Sequence, residues 1–327
     1  MATPAFGRIG IYRHSRAGLL AAAVFLAFCG GIALGDHPMS LVDVVRALAG
    51  SGDRFALLTV RELRLPRALV GLLAGAAFGV SGAVFQTVTR NPLASPDLIG
   101  IAAGAATAVV AGIVLGVDLP ALGLAGGLLT AVVIYLLAWN RGTTGYRIIL
   151  VGIGISWICT SATSYLLSRA RLPDAQRAVG WLVGTLNGRT WDQVRPLATV
   201  VILLVPLVLL GSGWLRTLQL GDDVATGLGT PVQRARLVLL LAAVGLVAFA
   251  TAAAGPVAFV ALAAPQIARR LTGAPAPPVI ASGLTGALVV LAADLVAREI
   301  PVPVGVVTGA LGAPFLMWLI VGRTRLA

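Results

Sequence analysis

The sequence contains little charge and no lysine. Only 11% of its 327 residues are charged and 58% are hydrophobic, whereas about 25% are charged in an average soluble domain. All 24 basic residues are arginine. A phosphate-binding loop of the GxxxxGK[ST] type needs a lysine to reach the terminal phosphates of ATP, so a standard ATPase site is excluded. The net charge is +12, but the arginines are scattered between apolar segments, which argues against a nucleic-acid partner.

Cysteine is also scarce, with two residues in the sequence. Cys29 and Cys159 lie in apolar segments with no histidine or second cysteine nearby, so we interpret them as packing residues. No acid, base or nucleophile is clustered at one depth of the predicted membrane segments. We therefore predict no catalytic residue, no metal site and no cofactor bound by this chain.

Apolar segments of membrane-spanning length are abundant. About 20 apolar residues cross the hydrocarbon core as a helix, and every backbone group there must be satisfied within the segment. We interpret the shorter segment 257–268 as a further crossing, with a re-entrant segment as the alternative. The predicted fold is all-α, a polytopic transmembrane bundle of about ten helices in one domain, 1–327. The longer segments are 17–35, 68–88, 98–117, 119–139, 148–167, 196–215, 237–254, 279–297 and 300–321.

The distribution of arginine predicts a cytoplasmic N-terminus in the inner membrane of a bacterium. Short loops on that side are rich in arginine, and the arginines of the other side lie mainly in the long segments 36–67 and 169–195, which determine topology weakly. Arg61, Arg64 and Arg67 crowd the outer end of the second helix. They either reach lipid phosphates or receive an acidic partner.

Charge inside the predicted spans is nearly absent, and small residues recur. Asp294 lies one turn from Arg298, so the two can pair near the outer surface. A proton-coupled carrier would bury ionisable residues deep in the bundle, which disfavours that class. Glycines spaced four residues apart let helix backbones approach closely, and they occur as Gly71, Gly75 and Gly79 on the second helix and as Gly305 and Gly309 on the last.

Four long segments carry a family resemblance: 61–105, 220–236 (LGDDVATGLGTPVQRAR), 255–273 and 291–320. Together they resemble the iron-siderophore and vitamin B12 importer permeases, the FecCD family of ABC transporters. The resemblance implies a type II ABC importer permease with both termini cytoplasmic. It also implies a second permease subunit in a homodimer or heterodimer, two cytoplasmic ATPase subunits that use ATP and Mg, and an extracytoplasmic substrate-binding protein.

The resemblance also implies roles for individual residues. Arg64, Arg67 and Arg298 match arginines that receive glutamates of the binding protein. The loop 216–235 matches the ATPase-coupling loop, and independently Gly221 and the Asp222–Asp223 pair suit the start of a short helix. The coupling residues are Gly221, Asp222, Asp223, Val224, Ala225, Gly227, Leu228 and Gly229, and the residues at the cytoplasmic gate are Asn91, Leu93, Thr144 and Gly145.

The predicted function is therefore that of a membrane-spanning permease subunit. It would move an iron-siderophore or related metal chelate into the cytoplasm by alternating access, while a separate subunit hydrolyses ATP. The alternatives are an ion-coupled secondary transporter and a membrane-embedded lipid-modifying enzyme. At Gly145 and Tyr146 the sequence departs from the small hydroxyl residues that the family pattern leads us to expect.

Overall fold

The structure of the chain, a computed structural model, is helical throughout its described part. That part comprises residues 5–35, 39–51, 53–97, 100–117, 121–138, 145–300 and 302–324, and it contains no strand. The helices are α1 Ala5–Ala33, α2 Leu41–Leu48, α3 Arg54–Leu58, a π-helical segment Thr59–Arg64, α4 Leu65–Val88, α5 Ile101–Leu115, α6 Leu122–Ala138, α7 Gly145–Arg169, α8 Leu172–Leu182, α9 Trp191–Leu210, α10 Ser212–Gln219, α11 Asp222–Gly227, α12 Val232–Ala254, α13 Val260–Thr272, α14 Val279–Glu299 and α15 Val304–Thr324.

The all-α, multi-pass membrane fold is confirmed, but the prediction of about ten helices is wrong as a count. Within the described residues, six helices are long and apolar enough to cross a membrane, and α5 and α6 are shorter apolar helices. The additional helices are short, as in α2, α3, α8, α10 and α11. A search for long apolar runs misses such connecting helices because they carry polar residues and are too short to span the hydrocarbon core.

The segment 257–268 forms a helix with different bounds from those predicted. Its helix, α13, begins at Val260 and has 13 residues, a length of about 20 Å. This is shorter than the hydrocarbon core of about 30 Å, so α13 does not cross the membrane by itself. Phe259 precedes it in a left-handed conformation with φ 66°. The preceding turn is held by Thr185 N–H, which donates to Ala254 O over 2.9 Å.

Helix α4 lies at the centre of the bundle. Its side chains Val70, Ala74, Phe78 and Val84 are fully buried. Buried polar side chains fix it to its neighbours: Ser81 Oγ donates to Ala243 O of α12 over 2.9 Å. Because such bonds satisfy groups that water cannot reach, they align the helices as well as stabilise them.

The close backbone approach predicted for the glycines of α4 is made to α14 at Gly75 and Gly79. A Cβ atom added to Gly75 would lie 2.5 Å from Gly286 O, and one added to Gly79 would collide with Ser282 O. On α15, a Cβ on Gly305 would collide with the carbonyl of Val183, but one on Gly309 would meet no atom within 4 Å. The spacing therefore marks close helix contacts at Gly75, Gly79 and Gly305, and does not mark one at Gly309.

Candidate docking and coupling sites

The predicted docking and gate residues lie at opposite ends of α4. Arg64 and Arg67 are at its beginning, and Arg90 and Asn91 follow its end at Val88. A helix of 24 residues is about 36 Å long, enough to span the hydrocarbon core. This length separates the predicted docking residues at the start of α4 from the predicted gate residues that follow its end.

At the first end, Asp294 holds two of the predicted docking arginines together. Arg67 of α4 donates from Nη2 and Nε to Asp294 Oδ1 over 2.8 and 3.0 Å. Arg298 of α14 donates from Nη2 and Nε to Asp294 Oδ2 over 2.7 and 3.1 Å. Asp294 is only 2% exposed. The predicted pairing of Asp294 with Arg298 is confirmed, and we call Arg64, Arg67, Asp294 and Arg298 the Asp294 cluster.

The same cluster closes the end of α1. Arg64 Nη1 donates to Ile32 O over 3.0 Å and to Ala33 O over 3.1 Å, and Arg298 Nη1 donates to Gly31 O over 2.7 Å. The last carbonyls of a helix have no partner within the helix and carry partial negative charge. Arginines at this end therefore stabilise the junction of α1, α4 and α14.

The crowding of Arg61, Arg64 and Arg67 is relieved because each side chain has its own acceptor. Arg61 Nη2 donates to Leu48 O of α2 over 2.7 Å, whereas Arg64 and Arg67 bind α1 and Asp294. Arg64 ends the π-helical segment Thr59–Arg64, a conformation that is frequent at functional sites. The repulsion between like charges that the sequence suggested is therefore compensated inside the chain.

A cavity with a volume of about 610 Å³ opens beside the cluster, and a fourth arginine lines it. Arg189 faces this cavity together with Arg64, Arg67 and Arg298. Its Nε donates to Thr185 O over 3.0 Å, and burial lowers the pKa of Arg189. Sequence analysis missed this residue because it belongs to the long segment 169–195. A signal was available in the sequence: the capping box of Thr190 and Gln193 marks the start of α9, and Arg189 directly precedes this capping box.

At the other end, the predicted short helix is present. Gly221 precedes α11 with φ 107°, a conformation that suits glycine. Asp222 and Asp223 occupy the first turn, where negative charge is favourable. Val224 and Leu228 are exposed. The loop thus presents two exposed apolar side chains, one on α11 and one at its C-cap.

Asp222 binds two arginines from different helices. Arg90, which follows α4, donates from Nη2 to Asp222 Oδ1 over 3.2 Å. Arg236 of α12 donates from Nη2 to Oδ1 and Oδ2 over 3.0 and 2.9 Å. Arg236 is buried, and the Asp222 side chain is 40% exposed. We call Arg90, Asp222 and Arg236 the Asp222 cluster.

The predicted gate residues are only partly described. Asn91 Oδ1 accepts a hydrogen bond from Leu93 N–H over 3.0 Å, and the Leu93 side chain is exposed. Gly145 is the first residue of α7, and Thr144 lies outside the described residues. The structure therefore brings Asn91 and Leu93 into one turn beside the Asp222 cluster.

A second carboxylate follows this turn. Asp97 accepts a hydrogen bond from Ser95 Oγ over 3.3 Å. Desolvation by burial raises the pKa of Asp97 to about 6, and the bond from Ser95 opposes this shift. Among the described residues, no three His, Cys, Asp or Glu side chains are grouped so as to hold a metal ion.

The comparisons with known proteins identify the family of this chain. The model of the FecCD transport family matches residues 20–322. This chain belongs to the FecCD transport family. The chain is 42% identical to the ferric enterobactin transport system permease protein FepG of Escherichia coli (strain K12), over 94% of this chain and 96% of that protein. The predicted family is confirmed.

Other relatives are permeases of similar systems. The chain is 39% identical to the achromobactin transport system permease protein CbrC of Dickeya dadantii (strain 3937), over 94% of this chain and 91% of that protein. It is 36% identical to the iron(3+)-hydroxamate import system permease protein FhuG of Bacillus subtilis (strain 168), over 91% of this chain and 94% of that protein. The fold is similar to a metal-chelate type ABC transporter solved in an inward-facing conformation, with a TM-score of 0.82, 25% identity, and coverage of 94% of this chain and 99% of that one.

Proposed function

We propose that this chain is the permease subunit of an ABC importer that carries an iron-siderophore or related metal chelate into the cytoplasm by alternating access. The observation that carries the proposal is the family match over residues 20–322. The permease names of the relatives in ferric enterobactin, achromobactin and iron-hydroxamate systems support the choice of an iron chelate.

The two clusters suggest which surface meets which partner. In this proposal both termini and α11 lie on the cytoplasmic side. The complex contains two ATPase subunits, which bind ATP and Mg, and α11 meets one of them. The exposed apolar residues Val224 and Leu228 support docking of α11 to an ATPase, because exposed apolar side chains grouped on one element favour protein contacts. The chain itself would bind no cofactor, and a second permease subunit would complete the path.

The proposed partner at the Asp294 cluster is an acidic substrate-binding protein. Four arginines line the cavity of about 610 Å³ there, and guanidinium groups bind carboxylates in bidentate fashion. Arg67 is the most exposed of the three predicted docking residues, with 21% of its side chain exposed, against 12% for Arg298. An incoming carboxylate would therefore reach Arg67 first and would share its donors with Asp294.

Reconstitution tests the function. The chain is placed in proteoliposomes with its candidate partner permease, ATPase and binding protein, and uptake of radiolabelled ferric enterobactin is measured with and without ATP. We expect uptake only when ATP and all the partners are present. Uptake by this chain alone, driven by an ion gradient, would support the secondary-transporter alternative, and lipid modification without partners would support the enzyme alternative.

A substitution at Arg67 tests the docking surface. Glutamine is preferable to glutamate, because a glutamate would repel the buried carboxylate of Asp294. We expect Arg67→Gln to weaken binding of the binding protein to the reconstituted complex by about tenfold, a change of 1.4 kcal/mol, because a charge-assisted bond is lost. The matched control is Arg46→Gln on α2, which removes an exposed arginine side chain outside the cavity. Equal binding by both variants would contradict this role of Arg67.

A further inference from the structure

We propose that Asp222 is a positioning residue that transmits movement of α11 to the turn formed by residues 90–93, with Arg90 as its contact on that turn. The inference rests on the proposed function, because it takes α11 as the element that meets the ATPase and Leu93 as part of the cytoplasmic gate. It identifies the side chains that join these two elements.

Asp222 is attached to α12 as well as to the turn. Arg236 holds both of its carboxylate oxygens, over 3.0 and 2.9 Å, and Arg236 is 2% exposed. The bond from Arg90 to Asp222 is longer, at 3.2 Å, and lies between side chains that are 46% and 40% exposed. Exposed ion pairs are weaker than buried ones and respond to small displacements. Asp222 is therefore fixed on one side and adjustable on the side of the gate.

The conformation of Arg90 directs its side chain toward α11. Arg90 has φ 53°, a left-handed conformation that is unfavourable for a non-glycine residue. Its N–H donates to Thr87 O over 3.2 Å, and the N–H of Asn91 donates to Gln86 O over 3.2 Å, so the end of α4 holds this conformation. A Cβ on Gly221 would lie 3.3 Å from Nη1 of Arg90, which shows how closely the two segments approach.

The turn is internally bonded, so its residues move together. Asn91 Oδ1 accepts from Leu93 N–H over 3.0 Å, and Asn91 O accepts from Ala94 N–H over 3.1 Å. A displacement of α11 that pulls on Arg90 is therefore passed along the turn to Leu93, whose N–H is bonded to the side chain of Asn91. Asp223, the next residue of α11, is exposed and forms no ion pair with a described residue.

Thiol labelling at the gate tests this link. In the reconstituted complex, Cys29 and Cys159 are replaced by alanine and Leu93→Cys is introduced as the reporter. The rate at which a membrane-impermeant maleimide modifies this thiol is measured from the cytoplasmic side, without nucleotide and with ATP plus vanadate. The variant is Arg90→Gln, which keeps the bond between Asp222 and buried Arg236 and so preserves α11.

We expect ATP plus vanadate to change the labelling rate in the reporter chain, and we expect Arg90→Gln to reduce that change by about fivefold or more, as for loss of a typical coupling free energy. ATPase recruitment should be unchanged, because α11 keeps its bond to Arg236. Arg90→Lys, which keeps the charge, should restore part of the response. A residue with a merely structural role would alter recruitment or thermal stability together with the response.

The control is Arg16→Gln. Arg16 is exposed on α1, and its Nη1 donates to Leu271 O of α13 over 2.9 Å, so this variant also removes one arginine bond between two elements. We expect its labelling response to be unaltered. A full response in Arg90→Gln with the ATPase bound would overturn the role of Asp222 and Arg90 while leaving the proposed function intact. Failure of the reporter chain to recruit an ATPase would overturn the proposed function itself.

Discussion

The Asp294 cluster and the Asp222 cluster each contain an aspartate that binds two arginines, but they differ in burial. The Asp294 side chain is 2% exposed and both of its arginines are largely buried. The Asp222 side chain is 40% exposed, and Arg90 is exposed as well. The same ionic chemistry thus forms a closed junction at one end of α4 and a partly solvated contact at the other.

This difference bears on what each end of α4 can do. Breaking a buried ion pair leaves an uncompensated charge in a medium of low polarity, so the Asp294 cluster resists rearrangement and holds α1, α4 and α14 together. A solvated pair exchanges partners at little cost, so the Asp222 cluster can follow the movement of α11. A partner at the first end meets a preformed arginine surface, whereas a partner at the second end meets an adjustable contact.

The largest effect is expected on removal of the buried aspartate. Asp294→Ala leaves Arg67 and Arg298 close together without their shared carboxylate, and we expect a loss of about 3–5 kcal/mol in the free energy of unfolding. Asp222→Ala should cost less, about 1–3 kcal/mol, because water reaches that site. Thermal unfolding in detergent compares the two variants. Equal losses would show that burial does not distinguish the clusters.

A third carboxylate, Asp97, extends the comparison of the two clusters. Its hydrogen-bond donor is the hydroxyl of Ser95, whereas Asp294 and Asp222 bind arginines. Its pKa is raised from 3.8 to about 6 by desolvation, so the folded state favours the protonated form. This stabilisation is complete below pH 3.8 and is lost as the pH rises through about 6. We expect Asp97→Asn to flatten the pH dependence of unfolding in this window and to be more stable above it, by at most about 3 kcal/mol. Identical pH profiles for the two proteins would contradict the shift.

The contact between α4 and α14 supports α4 between the two clusters, and glycines make this contact close. A Cβ on Gly79 would collide with the backbone of Ser282, whereas one on Gly309 would meet no atom within 4 Å. We expect Gly79→Ala to destabilise the protein by about 1–3 kcal/mol, and Gly309→Ala, the matched control, to have little effect. Chemical or thermal unfolding measures both. A neutral Gly79→Ala would mean that α4 and α14 can separate easily.

The smallest effect is expected at a fully solvated pair. On α2, Arg46 Nη1 lies 4.0 Å from Asp43 Oδ1, and 66% of the Arg46 side chain and 52% of the Asp43 side chain are exposed. Such pairs contribute less than about 1 kcal/mol, so Arg46→Gln should leave the unfolding temperature almost unchanged. A large loss would show that exposure is a poor guide to the strength of these pairs, and would weaken the contrast between the Asp294 and Asp222 clusters.

The membrane fold and the family could be predicted because their signals are local. Apolar runs long enough to cross a membrane, the absence of lysine, and the motif around Asp222 and Asp223 can each be identified without knowing which helices are neighbours. The start of α11 was predicted correctly because glycine followed by two aspartates satisfies the first turn of a helix. The other short helices and the start of α13 were missed because hydropathy detects only long apolar segments.

The sequence by itself determined that this chain is a helical membrane protein without the lysine of a standard phosphate-binding loop, and it pointed to the arginines that crowd one predicted surface. Only the tertiary structure decided how those arginines are used. Arg67 and Asp294 are separated by 227 positions, and Arg90 and Asp222 by 132, so no local pattern connects them. The first pairing depends on how α4 packs against α14, because a buried charge is stable only where the fold brings an opposite charge to it. The second depends on α10 and α12, which contact α11.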